Sequence, residues 1–331
     1  MQDLILVLGL AVSLYMAWSL GANDAANPTE CAVGSGVLSL KSSLILFASF
    51  AALGAMLQGH MVMKTLGKGV VASIDAVGAL TTVLAAALWI TLCTYRGLPI
   101  STSQSITGAV LGYGLAAHGP GGVDWSIMVR VVASWLASPV MAILMTVAMF
   151  KALRRLEGRP RGDETAKWLL VASLCFSAYS FGANDVGNAT GVFVTLAGAG
   201  ALGPHGMLLL AALGSCGIAL GGFTWGYRVI ETVAYRVTRI DLYSGSAAEL
   251  ANALTVYLFT TVPYVLIGYG MPISTTHASV GSVLGAGLAR GRGINWLVVL
   301  VILCSWLLTV PAAALISLSL YKLVSYALTL G

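Results

Sequence analysis

The chain has 331 residues, of which 58% are hydrophobic and only 9% charged, against roughly 25% charged in a soluble domain. So little charge cannot cover a water-facing surface, and a mean hydropathy of +0.91 excludes a soluble globular protein in favour of one that uses lipid as its solvent. The net charge of +5 does not point to nucleic acid, because the basic residues are scattered at segment ends, where positive charge orients membrane proteins.

The Met-Gln-Asp start lacks the basic region of a cleaved signal peptide. Leu4–Leu20 is therefore expected to be a retained first span. A small, polar interruption follows at Gly21–Gly36, then spans at Ser43–Gly59 and Ala76–Thr94. Ile100–Ala117 is apolar but opens on hydroxyl residues, and Ile127–Phe150 is long enough to cross. The stretch from Lys151 to Lys167 is the most charged in the chain and is expected on the cytoplasmic side. Trp168–Phe181 opens the second half, with a second polar interruption at Gly182–Gly191. Met207–Gly222, Leu254–Gly268, Ile273–Leu288 and Trp296–Leu320 complete the apolar segments. The polar stretch Tyr227–Asn252 reads as interfacial or as a short helix packed inside the protein.

The halves repeat. Gly21-Ala22-Asn23-Asp24 recurs as Gly182-Ala183-Asn184-Asp185, 161 residues on. Leu98-Pro99-Ile100-Ser101-Thr102 recurs as Met271-Pro272-Ile273-Ser274-Thr275, 173 residues on. Between them, Gly59 with Lys64-Thr65 parallels Gly226 with Glu231-Thr232. The expected organisation is a transmembrane repeat over 1–150, a short basic loop over 151–167, and a second repeat over 168–331. An outside N-terminus and an inside central loop require an odd number of crossings per half, which inverts the second repeat. The fold class is thus an all-α polytopic membrane protein: two inverted-topology repeats with broken helices or re-entrant hairpins, and about 10–12 membrane segments.

An aspartate inside a membrane segment costs about 2.5–3.5 kcal/mol and persists where it faces protein, water or a cation. Asp24 with Asn23 and Asn27, and Asp185 with Asn184 and Asn188, supply hard oxygen ligands suited to a small cation. The competing reading makes Asp24 and Asp185 buried helix caps. Pro99-Ile100-Ser101-Thr102-Ser103-Gln104 and Pro272-Ile273-Ser274-Thr275-Thr276-His277 mark helix starts, whose free N–H groups and hydroxyls can cradle an oxyanion. Plain N-capping is the alternative there.

His277 reads as a hydrogen-bonding core residue or a titrating one. Glu30, Lys64, Glu231 and Glu249 read as interfacial residues or parts of a gate, and His60 and Gln58 as packing residues. The five cysteines (Cys31, Cys93, Cys175, Cys216 and Cys304) sit singly and imply neither metal cluster nor disulfides. No phosphate-binding Walker loop, zinc-protease motif or nucleophile elbow occurs, so the chain is not expected to be an enzyme or to use ATP itself.

At these residues the chain resembles the PiT family of inorganic phosphate transporters, itself related to sulfate permeases. The likeness rests on the two Gly-Ala-Asn-Asp and two Pro-Ile-Ser-Thr motifs, on Gly226–Thr232 and on Ala248–Val256. It implies a multi-pass protein of the cell membrane that imports phosphate by Na⁺ symport, with the anion at the midplane between the repeats. It would place Na⁺ at Asp24, Asn27, Asp185 and Asn188. The anion would lie at Ser101, Thr102, Ser103, Gln104, Ser274, Thr275, Thr276, Asn23 and Asn184. Proton coupling and sulfate transport are the alternatives; no cofactor is implied, and a homodimer is compatible. Departures from the family pattern are a short central loop, Pro28-Thr29-Glu30 in place of small uncharged residues, Gln104 for His, and Gly187 for Ala.

Overall fold

The computed structural model describes residues 2–61, 70–71, 73–196, 203–268, 273–291 and 293–330. Lys64, Thr65, Met271 and Pro272 lie outside the described residues. Every regular element among the described residues is helical, apart from one isolated bridge between Val71 and Val123.

The first half contains α1 (Gln2–Asp24), α2 (Ala26–Gly34), α3 (Leu40–Gln58), α4 (Ala76–Tyr95), α5 (Thr102–His118) and α6 (Trp125–Leu153). The second contains α7 (Gly162–Leu196), α8 (Gly203–Trp225), α9 (Tyr227–Glu231), α10 (Leu242–Ile267), α11 (Thr275–Arg290) and α12 (Trp296–Leu330). A π-helical turn, Thr232–Val237, follows α9. Six of these helices, α3, α4, α6, α7, α8 and α12, are long and apolar enough to cross a membrane. Their outer faces carry Leu307, Leu297, Val129 and Leu136 at 79%, 72%, 69% and 68% exposure, which suits lipid and not water. Trp125, Trp168 and Trp296 are exposed near helix starts, where aromatic rings settle at a membrane interface.

The two polar motifs fold differently from one another. After Asp24 a single residue, Ala25, separates α1 from α2, and its backbone stays helical at φ −57°, ψ −22°. At the second copy α7 runs unbroken through Gly182–Asn188. The expected second interruption is therefore a break in hydropathy and not in the backbone. Asn, Asp and Gly are poor but permitted helix residues, and here their polar groups are held by neighbouring helices.

The halves interlock. α1 packs on α8 and α7 on α3; α5 packs on α12 and α11 on α6. Glycines set the closest approaches. A Cβ on Gly21 would collide with the Ile218 backbone, and one on its counterpart Gly182 with the Ala51 backbone. The same exchange links Gly54 to Tyr179 and Gly221 to Trp18, then Gly108 to Val310 and Gly281 to Pro139. Small residues let helix backbones meet in lipid, where dispersion replaces the hydrophobic drive. Tyr227–Asn252 packs one face inside the protein, with Val229, Ile230, Val233 and Val237 buried, and leaves Tyr227 and Tyr235 exposed.

Candidate functional site

The interlocked packing brings four short segments together: the ends of both Gly-Ala-Asn-Asp motifs and the first turns of α5 and α11. Asp24 and Asp185 are both 0% exposed. The Thr102 hydroxyl donates to Asp24 Oδ2 at 2.7 Å and lies 3.4 Å from Asp185 Oδ1, so one residue of α5 bridges acids from both halves. From α11, the Thr276 hydroxyl reaches Asp24 Oδ1 at 3.3 Å and the Ile100 carbonyl at 3.0 Å, while Thr275 faces Asp185. Asn27 Nδ2 lies 3.3 Å from both the Thr275 and Thr276 oxygens. Asn188 Nδ2 donates to Asp185 Oδ1 at 2.7 Å. Among the described residues neither aspartate has a Lys or Arg partner. Asp185 Oδ2, Asn188 Oδ1 and Gln104 Oε1 are buried acceptors that no protein donor satisfies.

The helix starts explain the proline motifs. Ser101 and Ser274 are extended N-caps, at φ −81°, ψ 113° and φ −86°, ψ 105°. Each hydroxyl oxygen accepts from the amide three residues on, Gln104 and His277, at 3.1 Å. Plain capping thus holds for these two serines, and Ser103 lies 3.1 Å from Ser101. The threonines one residue later turn instead to the carboxylates. First-turn amides have no intrahelical acceptor and carry partial positive charge, so two helix N-termini bring uncharged donors to one buried place.

Asn23 and Asn184 hold the frame. Asn23 Nδ2 donates to the Thr94 hydroxyl at 2.8 Å and the Leu98 carbonyl at 3.0 Å, and Oδ1 accepts from the Ile100 amide at 3.1 Å. It thereby fixes the segment leading into α5. Asn184 Nδ2 donates to Thr260 at 2.6 Å. His277 is a core residue: its ring stacks on Trp306 at 3.8 Å, and Nδ1 lies 2.9 Å from the Trp135 carbonyl. A carbonyl only accepts, so Nδ1 carries the proton. Trp306 in turn donates to the Pro99 carbonyl at 2.9 Å, tying the two proline motifs together. Glu231 is exposed and paired with Arg236 at 2.6 Å, and Gln58 and His60 contact Thr261 and Tyr264.

Glu30 and Glu249 correct the sequence expectation. Both are 0% exposed and lie in the protein interior, not at its interface. The spacing carried a signal: Glu30 falls three residues after Asn27, and Asn252 three after Glu249, so each pair shares a helix face.

The family model described as "Phosphate transporter family" matches residues 20–166 and 157–317. The chain belongs to the phosphate transporter family. It is 32% identical to a protein of Pyrococcus abyssi assigned as a phosphate permease, covering 96% of this chain and 97% of that one. It is 28% identical to the chloroplastic inorganic phosphate transporter 2-1 of Arabidopsis thaliana, covering 92% of this chain and 70% of that one. Among solved structures it superposes on "The sodium-dependent phosphate transporter" with a TM-score of 0.86 and 28% identity, over 97% of this chain and 99% of that one. The alignment to the Pyrococcus protein runs over 402 positions, more than this chain's 331 residues, so the relative carries residues that this chain lacks. This is a multi-pass membrane transport protein, not an enzyme.

Proposed function

We propose that this phosphate transporter imports inorganic phosphate across the cell membrane by symport with Na⁺. In this reading residues 1–150 and 168–331 are inverted repeats joined by the cytoplasmic loop 151–167, and the anion sits between them near the midplane. The observation that carries it is the Thr102 bridge between Asp24 and Asp185: two buried acids from the two halves meet at two helix N-termini, with no basic partner among the described residues. A pair of carboxylates without a cationic partner is costly in a dry interior. Two sodium ions would neutralise them, with Asp24, Asn27, Asp185 and Asn188 as ligands. The orphaned oxygens of Asp185 and Asn188 suit a hard cation. The ions then turn a site that repels anions into one that accepts a phosphate dianion, held by the first-turn amides and by Ser103, Gln104, Thr275 and Thr276. Phosphate binds only after Na⁺, and this order is the coupling.

The name of the solved relative favours Na⁺ over protons as the driving ion. The test is labelled phosphate uptake into proteoliposomes. Uptake should follow an inward Na⁺ gradient, fall to background when choline replaces Na⁺ at fixed pH, and resist excess sulfate. Uptake indifferent to choline replacement would refute Na⁺ coupling, and strong inhibition by sulfate would refute phosphate selectivity.

A further inference from the structure

The ends of α4 and α8 gather around one cation. Arg228, the second residue of α9, holds its guanidinium carbon 5.2 Å from the centre of the Tyr95 ring, 5.0 Å from Trp225 and 5.4 Å from Tyr227. The aromatic cluster continues onto α1. There the Trp18 ring meets Trp225 edge-on at 5.2 Å, and its Nε1 donates to Thr224 at 2.9 Å. Tyr95 and Tyr227 are exposed, and Arg228 is half-buried. Arg96, exposed, stands between two residues that touch Arg228. Tyr95 is one; the other is Gly97, where a Cβ would lie 3.0 Å from the Arg228 carbonyl oxygen.

Positive charge is unmatched here. Neither Arg96 nor Arg228 has a carboxylate partner among the described ion pairs, and Glu231, three residues on, is committed to Arg236. A guanidinium has five N–H donors. In Arg228 one of them, on Nη1, reaches an acceptor among the described residues, the Tyr95 carbonyl at 3.3 Å, while Nε is buried with none. Closing the end of α4 therefore leaves most of the group unused. Rings against its faces leave the edge of a guanidinium free, and that edge matches the oxygens of a phosphate.

The apolar surroundings decide which phosphate. Leu88 and Leu92 on α4, Leu14 on α1, and Leu220 and Phe223 on α8 are exposed. They precede Tyr95, Trp18 and Trp225 by no more than about two helical turns, and α1 packs on both α4 and α8. Arginines and aromatic rings at the end of such an apolar face sit at the level of lipid headgroups. A free phosphate gains nothing from the leucines, whereas acyl chains do. A zwitterionic headgroup brings its own cation and gains less from two arginines than an anionic one.

We propose that Arg228 and Arg96 bind the phosphate of one anionic phospholipid, whose acyl chains lie over α1 between α4 and α8. The site is separate from Asp24 and Asp185 and does not depend on which ion drives transport.

Native mass spectrometry of the delipidated full-length chain in detergent, titrated with phosphatidylglycerol or phosphatidylcholine, tests this. The native chain should bind one phosphatidylglycerol at least tenfold more tightly than phosphatidylcholine. Arg96→Gln/Arg228→Gln should lose that preference, a drop of at least tenfold, as for a lost hydrogen bond to a charged group. Arg154→Gln/Arg155→Gln removes the same charge from the exposed central loop and should leave binding unchanged. Inorganic phosphate and glycerol phosphate should not displace the lipid. Native affinity in the Arg96→Gln/Arg228→Gln variant, monodisperse on size exclusion, overturns the proposal. An equal loss in the loop variant overturns it too, since general charge attraction would then suffice. Displacement by glycerol phosphate would make this a site for soluble phosphates and not for lipid. Arg228→Lys keeps the aliphatic stem between the rings but not the planar fork, which guards against a folding defect. It should bind phosphatidylglycerol more weakly than the native chain, and native affinity in both Arg228→Lys and Arg96→Gln would refute the site as well.

Discussion

Replacing Gly21 with alanine tests the interlocked packing and its tie to the site. A Cβ built at Gly21 would lie 2.6 Å from both Cα and the carbonyl carbon of Ile218, where ordinary contact begins at 3.4 Å. The Ile218 carbonyl oxygen lies closer still, and backbone cannot rotate aside as a side chain does, so α1 and α8 must part by more than about 0.8 Å. Overpacking of that kind costs about 1–3 kcal/mol. At about 2–4 °C per kcal/mol for a large domain, the melting temperature in detergent should fall by about 2–12 °C. Gly182→Ala should match it, since its Cβ would lie 2.6 Å from the Ala51 carbonyl carbon and 2.8 Å from Cα. Uptake should suffer more than stability. Asp24 lies one turn beyond Gly21, and its 2.7 Å bond to Thr102 does not survive a shift approaching 1 Å. A lost hydrogen bond to a charged group is worth about 1.5–3 kcal/mol, or at least a tenfold drop in transport. Gly121→Ala is the control, because a Cβ there meets nothing within 4 Å. The assay pairs a thermal size-exclusion series with labelled phosphate uptake. Gly21→Ala and Gly182→Ala melting with the native protein, or transporting like Gly121→Ala, would refute the close approach and the account of the site built on it.

Three further outcomes are expected. Asp24→Asn and Asp185→Asn should each abolish Na⁺-driven uptake while leaving a folded, monodisperse protein; normal transport by either would make that aspartate structural. Thr102→Val keeps the volume but removes the hydroxyl that faces both acids, and should lower uptake at least tenfold. Thr102→Ser should restore most of it, and equal uptake by Val and Ser would separate the hydroxyl from transport. Asp124 caps α6, and the Ser126 hydroxyl with the Ile127 and Ser126 amides holds its carboxyl below the usual value. A lowered value means that the cap contributes fully above the ordinary carboxylate range and weakens as pH falls through the folded value. Asp124→Asn should flatten the acid side of the melting-temperature profile, and an unchanged profile would remove Asp124 from it.

Much of this was written in residue order. The doubled Gly-Ala-Asn-Asp and Pro-Ile-Ser-Thr motifs pointed to segments that the fold does bring together, because an acid or a run of hydroxyls in an apolar segment needs a partner, and two copies suggest that each partners the other. The caps at Ser101 and Ser274 followed from local chemistry alone. Three things did not. The unbroken path of α7 through Gly182–Asn188 depends on tertiary support that propensity does not contain. The holding role of Asn23 depends on Thr94, Leu98 and Ile100, more than 70 residues away. Glu30 and Glu249 read as interfacial residues or parts of a gate because a single glutamate near a segment end usually lies at the interface. Only the packing of α2 against α10 shows that they meet.

The interlock also separates what is paired from what is not. The glycine contacts come in exchanged pairs, as do the threonines that face the aspartates, so the cluster around Asp24 and Asp185 is built twice over and neither half completes it alone. Glu30 has no acidic counterpart: 161 residues on stands Gly191. Gln104 and His277 likewise occupy matching places with different chemistry, and His277 is committed to Trp306 and Trp135. A transporter assembled from two similar halves has no built-in preference for facing one side over the other. Residues that break the equivalence are where such a preference must arise. Glu30 and Glu249 place two ionisable groups beside only one of the two motifs, through Asn252 and Asn27. Whatever neutralises that pair acts on the Gly21–Asn27 copy and not on its partner, so it biases the halves unequally.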